Sequence, residues 1–121
     1  MANAVSKIAL SGSTAGKGIL LAATATPGTS IHVTGAVSTV IDEIWLYAIN
    51  MHTADVLVTI EFGGVTSPGF VIAQTVPFKS GLYLLVPGLP LVETGGALTV
   101  AGFAGTTNVV SIFGFVNKIT P

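Results

Sequence analysis

Glycine and proline interrupt this chain so often that an ordinary helix has little room to form. Fifteen Gly and six Pro are spread over 121 residues, leaving runs of roughly five to ten residues between breaks. Those runs are filled mostly by Val, Ile, Leu, Thr and Phe, side chains that pack well on a pleated surface. The strand candidates are Val5–Ser11, Ile19–Thr24, Ser30–Thr34, Ile41–Asn50, Val56–Gly63, Phe70–Val76, Leu82–Val86, Ala97–Phe103 and Asn108–Ile119. Nine short strands with a turn signal roughly every 8 to 14 residues predict an all-β sandwich or barrel of mostly antiparallel strands. Three Pro-Gly pairs, at Pro27-Gly28, Pro68-Gly69 and Pro87-Gly88, predict type II turns, with Pro fixing the first corner and Gly supplying a positive φ at the second.

One run supports two readings. Ile41, Ile44, Trp45, Ala48, Ile49 and His52 would line one face of a helix, with Asp42 and Glu43 in its first turn. As a strand, Ile44, Leu46 and Ala48 face one way and Glu43, Trp45, Tyr47 and Ile49 the other. Its aromatic and β-branched content favours the strand. So does the next run, which alternates Val56, Val58, Ile60 and Phe62 against Leu57, Thr59 and Glu61. Residues 50–55 then form a polar hairpin connection.

No linker, charge block or low-complexity tail divides the chain, so residues 1–121 are read as one domain. A mean hydropathy of +0.85 excludes a disordered chain. Two uncharged stretches of 24 residues, Gly18–Ile41 and Thr94–Asn117, reach membrane-spanning length. Their glycines, Pro27 and β-branched residues deny them helical character. A transmembrane barrel wants aromatic girdles, which nine aromatic residues do not supply. The first ten residues carry no apolar run of signal-peptide length. We therefore expect no membrane partner. Four Lys and no Arg cannot form the cationic cluster that phosphates need, so no nucleic-acid partner is expected. The absence of Cys excludes disulfides and thiolate metal sites and suits synthesis in a reducing cytoplasm.

Chemistry-bearing motifs are few. The run Gly12-Ser-Thr-Ala-Gly16-Lys17-Gly18 has three residues between its first two glycines and no Ser or Thr after the Lys. It departs from a phosphate-binding loop on both counts and reads as a flexible hairpin loop. His32 lies between Ile31 and Val33 and reads as a packed or surface strand residue. His52 and Asp55 share a turn but fall short of the three or four ligands a metal requires. Asp42, Glu43, Asp55, Glu61 and Glu93 are read as surface charges. With no nucleophile elbow present, we expect no catalytic residue, cofactor or metal. A hydrolase would need a pocket joining His32 or His52 to an acid. A carbohydrate- or receptor-binding module would instead use Trp45 and Tyr47, which share a strand face, as a platform.

The last strand is apolar on both faces. Val110, Ile112, Gly114 and Val116 alternate with Val109, Ser111, Phe113, Phe115 and Asn117. A sandwich covers only one face of each sheet, so the other should be polar unless something else covers it. The aliphatic set suits the chain's own core, and Phe113, Phe115 and Val109 are the candidate subunit-interface residues. So few charges on so apolar a chain point to a homo-oligomer.

The phrases Ile41-Asp-Glu-Ile-Trp-Leu-Tyr-Ala-Ile-Asn50, Val58-Thr-Ile-Glu-Phe-Gly-Gly64, Ser80-Gly-Leu-Tyr-Leu-Leu-Val-Pro-Gly-Leu-Pro-Leu91 and Val110-Ser-Ile-Phe-Gly-Phe-Val-Asn-Lys-Ile-Thr120 together resemble small structural proteins of tailed bacteriophages. The likeness is to the head decoration, or cement, proteins. It implies a jelly-roll-like sandwich and a homotrimer seated on the major capsid protein at the outer surface of the virion. It also implies assembly in the host cytoplasm and no catalytic residues. It is weakest before Val40, where an N-terminal arm contacting neighbours is one arrangement.

Overall fold

The computed structural model describes residues 3–121. Met1 and Ala2, at the tip of the expected arm, lie outside the described residues. Nine strands form among the described residues: β1 (Ala4–Ala9), β2 (Ile19–Leu20), β3 (Thr29–Val33), β4 (Ile41–Asn50), β5 (Val56–Phe62), β6 (Val71–Val76), β7 (Tyr83–Val92), β8 (Thr99–Ala104) and β9 (Val110–Thr120). They make two antiparallel sheets. The first has the order β1-β9-β4-β7, with β2 also on β9, and the second has the order β3-β8-β5-β6. The pairs β1·β9, β3·β8, β4·β7 and β5·β6 are nested like the rungs of one long hairpin. Rolling that hairpin adds the β9·β4 and β8·β5 pairings, which is the jelly-roll arrangement. The chain is a single-domain all-β sandwich. No described helix is long and apolar enough to cross a membrane.

The core lies between the sheets. Ile44, Leu46, Ala48, Val86, Ile112 and Val116 from the first sheet meet Ile31, Val58, Ile60, Val76 and Val100 from the second. The alternation in β4 and β5 therefore has the predicted phase, and residues 41–50 are a strand throughout. Val110, Ile112 and Val116 of β9 are fully buried. At Gly114 a Cβ would lie 2.0 Å from the carbonyl oxygen of Trp45, so the neighbouring backbone leaves space only for glycine.

Several expectations need correction. β7 runs on through Pro87, Gly88 and Pro90 to Val92 instead of stopping at Val86. It is an edge strand, so a missing amide hydrogen is tolerated there. Gly88 (φ +72°) sits at a register shift opposite Ile44 and Trp45, as in a β-bulge. Gly28 and Gly69 do not take the positive φ of a type II turn. Gly28 instead lies flat on β8, where a Cβ would meet the backbone of Gly102 at 2.5 Å. Residues 10–18 are not a hairpin loop. β1 and β2 both pair with β9, at Phe115–Thr120 and at Ser111–Ile112, so the segment is an excursion between two parts of one sheet edge. It is tethered where the Gly12 amide donates to the Ile31 carbonyl at 2.8 Å.

Candidate functional site

Three places concentrate polar or aromatic side chains. The first is the outer face of the β1-β9-β4-β7 sheet. Register sets Phe115 beside Trp45, Phe113 beside Tyr47, and Asn117 beside Glu43, and cross-strand neighbours on one face touch. The Trp45 and Phe115 rings stack at 5.9 Å and 13°. Lys7 Nζ lies 4.3 Å from the centre of the Phe115 ring. On the other flank Gly88 lies so close that a Cβ would stand 2.7 Å from the indole. The row Lys7, Phe115, Trp45, Gly88 thus stacks across all four strands. The Trp45 indole N–H donates to Glu43 Oε1 at 2.7 Å and the Asn117 amide donates to the same oxygen at 3.0 Å. These bonds, Asn117 first, hold the Glu43 carboxyl below its ordinary pKa against a smaller opposing effect of burial. Phe113 has Gly18 against its ring. Val5, Leu84 and Val92 are exposed, on the same side by register.

Phe113 and Phe115 are therefore on the outer face, half-buried and partly engaged within the chain. Val109 is not in that row. It precedes β9 and packs partly buried against the core, next to Asn108, which holds a positive φ of 60°.

The second place is a polar cluster closing one end of the sandwich. His32, Asp42 and Glu93 are 2%, 0% and 2% exposed, so two of these acids are not the surface charges expected. Asp42 and Lys118 are register partners on β4 and β9, both facing inward. Lys118 Nζ donates to Glu93 Oε2 at 2.7 Å and lies 3.3 Å from Asp42 Oδ1, an ion-pair contact without hydrogen-bond geometry. His32 reaches across from β3, placing Nε2 2.8 Å from Asp42 Oδ2. The Ser11 amide donates to His32 Nδ1 at 3.1 Å. An amide can only donate, so Nδ1 must accept and the ring hydrogen belongs on Nε2. Burial opposes ionisation of Glu93. The Lys118 ammonium, the Val37 amide and the contact with Asp42 outweigh it and hold this carboxyl down at about 2. The same bond to Glu93 raises Lys118 against the opposing effect of burial.

His32 and an acid are thus joined, but not in a pocket. Ser11 Oγ accepts from the Val33 amide at 2.7 Å, and both imidazole nitrogens are committed. The arrangement offers no free base to a hydroxyl nucleophile. No described group of three or more His, Cys, Asp or Glu is placed to hold a metal. His52 donates its backbone amide to Asn50, and Asp55 accepts from the Phe78 amide, so these two serve turns.

The third place is Glu61. Its position in β5 puts it on the outer face of the second sheet, yet it is 1% exposed. The loop before β3 folds over it. Thr26 Oγ1 donates to Oε2 at 2.5 Å, and the Gly28 amide donates to Oε1 at 2.6 Å. Beside it opens a cleft of about 420 Å³ lined by Glu61, Pro27, Gly63, Gly64, Leu98 and Ala101, among others. Glu61, too, was expected on the surface, and the covering loop is why it is not.

No known protein family, curated protein or solved structure matches this chain.

Proposed function

We propose that this chain is a non-enzymatic structural subunit that works by assembly. In this reading it is a tailed-phage virion protein of the capsid-decoration kind, acting as a homotrimer on the capsid lattice. The observation that carries the assembly reading is the outer face of the β1-β9-β4-β7 sheet. Its two charges are already spent within the chain, Lys7 on Phe115 and Glu43 on Trp45 and Asn117. Burial of Asp42, Glu61 and Glu93 leaves six charged side chains for 6131 Å² of surface, about 1,000 Å² each, a sparse coat for a free monomer. The virion placement rests on the resemblance of the strand phrases and on the jelly roll, a fold that viral capsid domains share with lectins and cupins. The carbohydrate alternative draws no support from Trp45, which is held between Phe115 and Gly88 instead of presenting an open platform.

Light scattering at micromolar concentration is expected to give about three times 12.2 kDa. Burying one Phe is worth roughly 1.5–3 kcal/mol, so changing Phe113 and Phe115 to Ser should yield a folded, dissociated chain. Ile112→Ser, in the core, should impair folding itself. A wild-type chain that stays monomeric there overturns the assembly reading. Quantitative mass spectrometry of purified virions tests the placement: hundreds of copies per particle are expected, and a dozen or fewer would move the protein to a vertex or tail.

A further inference from the structure

We propose that the cleft beside Glu61 is a binding site for a small organic cation, an ammonium or guanidinium group on a short aliphatic stem. Among the described residues, Glu61 is the only charged side chain lining the cleft. No described Lys or His lies within ion-pair distance of it, so its two partners are neutral donors. A carboxylate can accept about four hydrogen bonds, and this one receives two from the described residues, both from the loop that covers it. Burying an ionised carboxylate without a cation is costly, and a cationic guest relieves that cost.

The space beside it is built to admit a stem. Gly63 and Gly64 bring no side chains to one wall, and Gly63 holds a φ of +81° that other residues rarely adopt. At Gly64 a Cβ would stand 2.7 Å from the Phe70 ring. Pro27, Val65, Leu98 and Ala101 supply an apolar lining. A volume of about 420 Å³ falls in the range of small-ligand sites, where an apolar wall and a few fixed polar groups set specificity. Thr26 and Gly28 hold the carboxylate under the loop, 1% exposed, so the loop edge must shift for a guest to reach a free lone pair, a cost set against the affinity.

The probes are n-butylammonium and n-butylguanidinium, with n-butanol as the neutral control, titrated into the intact protein and followed by amide NMR shifts. The expected result is saturable shifts at residues 26–30, 61–65 and 97–101, with the cations binding roughly ten- to a hundredfold tighter than butanol. Glu61→Gln, which can keep both loop contacts, should erase that preference while preserving the fold. Ala97→Trp, which leaves Glu61 in place but fills the exposed rim of the cleft, should weaken all three probes together. Equal binding of cation and alcohol, cation binding that survives Glu61→Gln, or no saturable binding overturns the proposal. A lysine side chain of another copy carries the same ammonium group, so mass is followed in the same titration. An unchanged mass identifies a free cation as the guest. A fall in mass on cation binding identifies a displaced side chain.

Discussion

The end cluster and Glu61 bury acids in opposite ways. At the end of the sandwich, Asp42 and Glu93 share the ammonium of Lys118, and His32 closes the group from the other sheet. Under the loop before β3, Glu61 has, among the described residues, only a hydroxyl and an amide. The first arrangement sets opposite charges against each other where water is scarce, and removing one member strands the rest. The second ties a loop to a strand with neutral donors and leaves acceptor capacity unused. The difference teaches where this chain places its few charges: one set locks the two sheets together, and the other covers the outside of one sheet and borders a cleft.

Breaking the end cluster should have the largest effect. Lys118→Met keeps an unbranched side chain, one atom shorter, but leaves Asp42 and Glu93 buried without their cation. The expected loss is about 3–5 kcal/mol in denaturant unfolding. A loss under about 1 kcal/mol would show that the cluster is wetter than its burial suggests. The same cluster sets a pH dependence. The folded-state pKa of Glu93 is depressed to about 2 from 4.5. Its contribution is therefore fully present above about pH 4.5 and is lost as pH falls towards 2. Lys118 is raised, so its contribution is complete below its ordinary pKa and fades as pH rises through the elevated value. Urea melts from pH 6 to pH 2 should lose less stability in Glu93→Gln than in the wild type; parallel curves would remove Glu93 from the account.

Glu61 should respond far less. Glu61→Gln retains an acceptor for the Gly28 amide and a group that can bond Thr26, so we expect a loss of about 1 kcal/mol or less. Hydrogen exchange at Thr26 and Gly28 should rise only slightly. A loss matching that of Lys118→Met would erase the contrast between the two sites.

The two sites were also unequally legible. Asp42 has the parity of Ile44, Leu46 and Ala48, and Lys118 that of Ile112 and Val116. Strict alternation therefore places an acid and a lysine inward on neighbouring strands, a signal the sequence carries even though charge alone points these groups to the surface. Glu61 alternates outward with Leu57 and Thr59, and nothing near it in sequence announces burial. Thr26 and Gly28 are more than thirty residues away, and only the tertiary fold brings their loop over it. The strands were legible because their apolar period is strong. β7 was cut short because Pro87-Gly88 is ordinarily a turn signal, and edge position, which excuses it, is not a local property.

The smallest effect should come from Lys7, and it isolates what burial does to a lysine. Lys7 and Lys118 sit on adjacent strands, with Lys7 opposite Asn117 and Ser6 opposite Lys118. One step in register sends one ammonium inward to two buried acids and the other outward over the Phe115 ring. Lys7 is exposed, so its ammonium keeps most of its hydration and the ring replaces little of it. A double-mutant cycle of Lys7→Ala with Phe115→Leu, run on dilute monomeric protein, should give a coupling of about 0.5–1 kcal/mol. A coupling near zero would mean the contact contributes nothing. Excluding water strengthens the attraction of a cation for a ring to about 2 kcal/mol or more. If this face is the one covered on assembly, the coupling should therefore rise when the cycle is repeated at a concentration where the oligomer forms. A coupling that stays the same would place the subunit contact on some other surface.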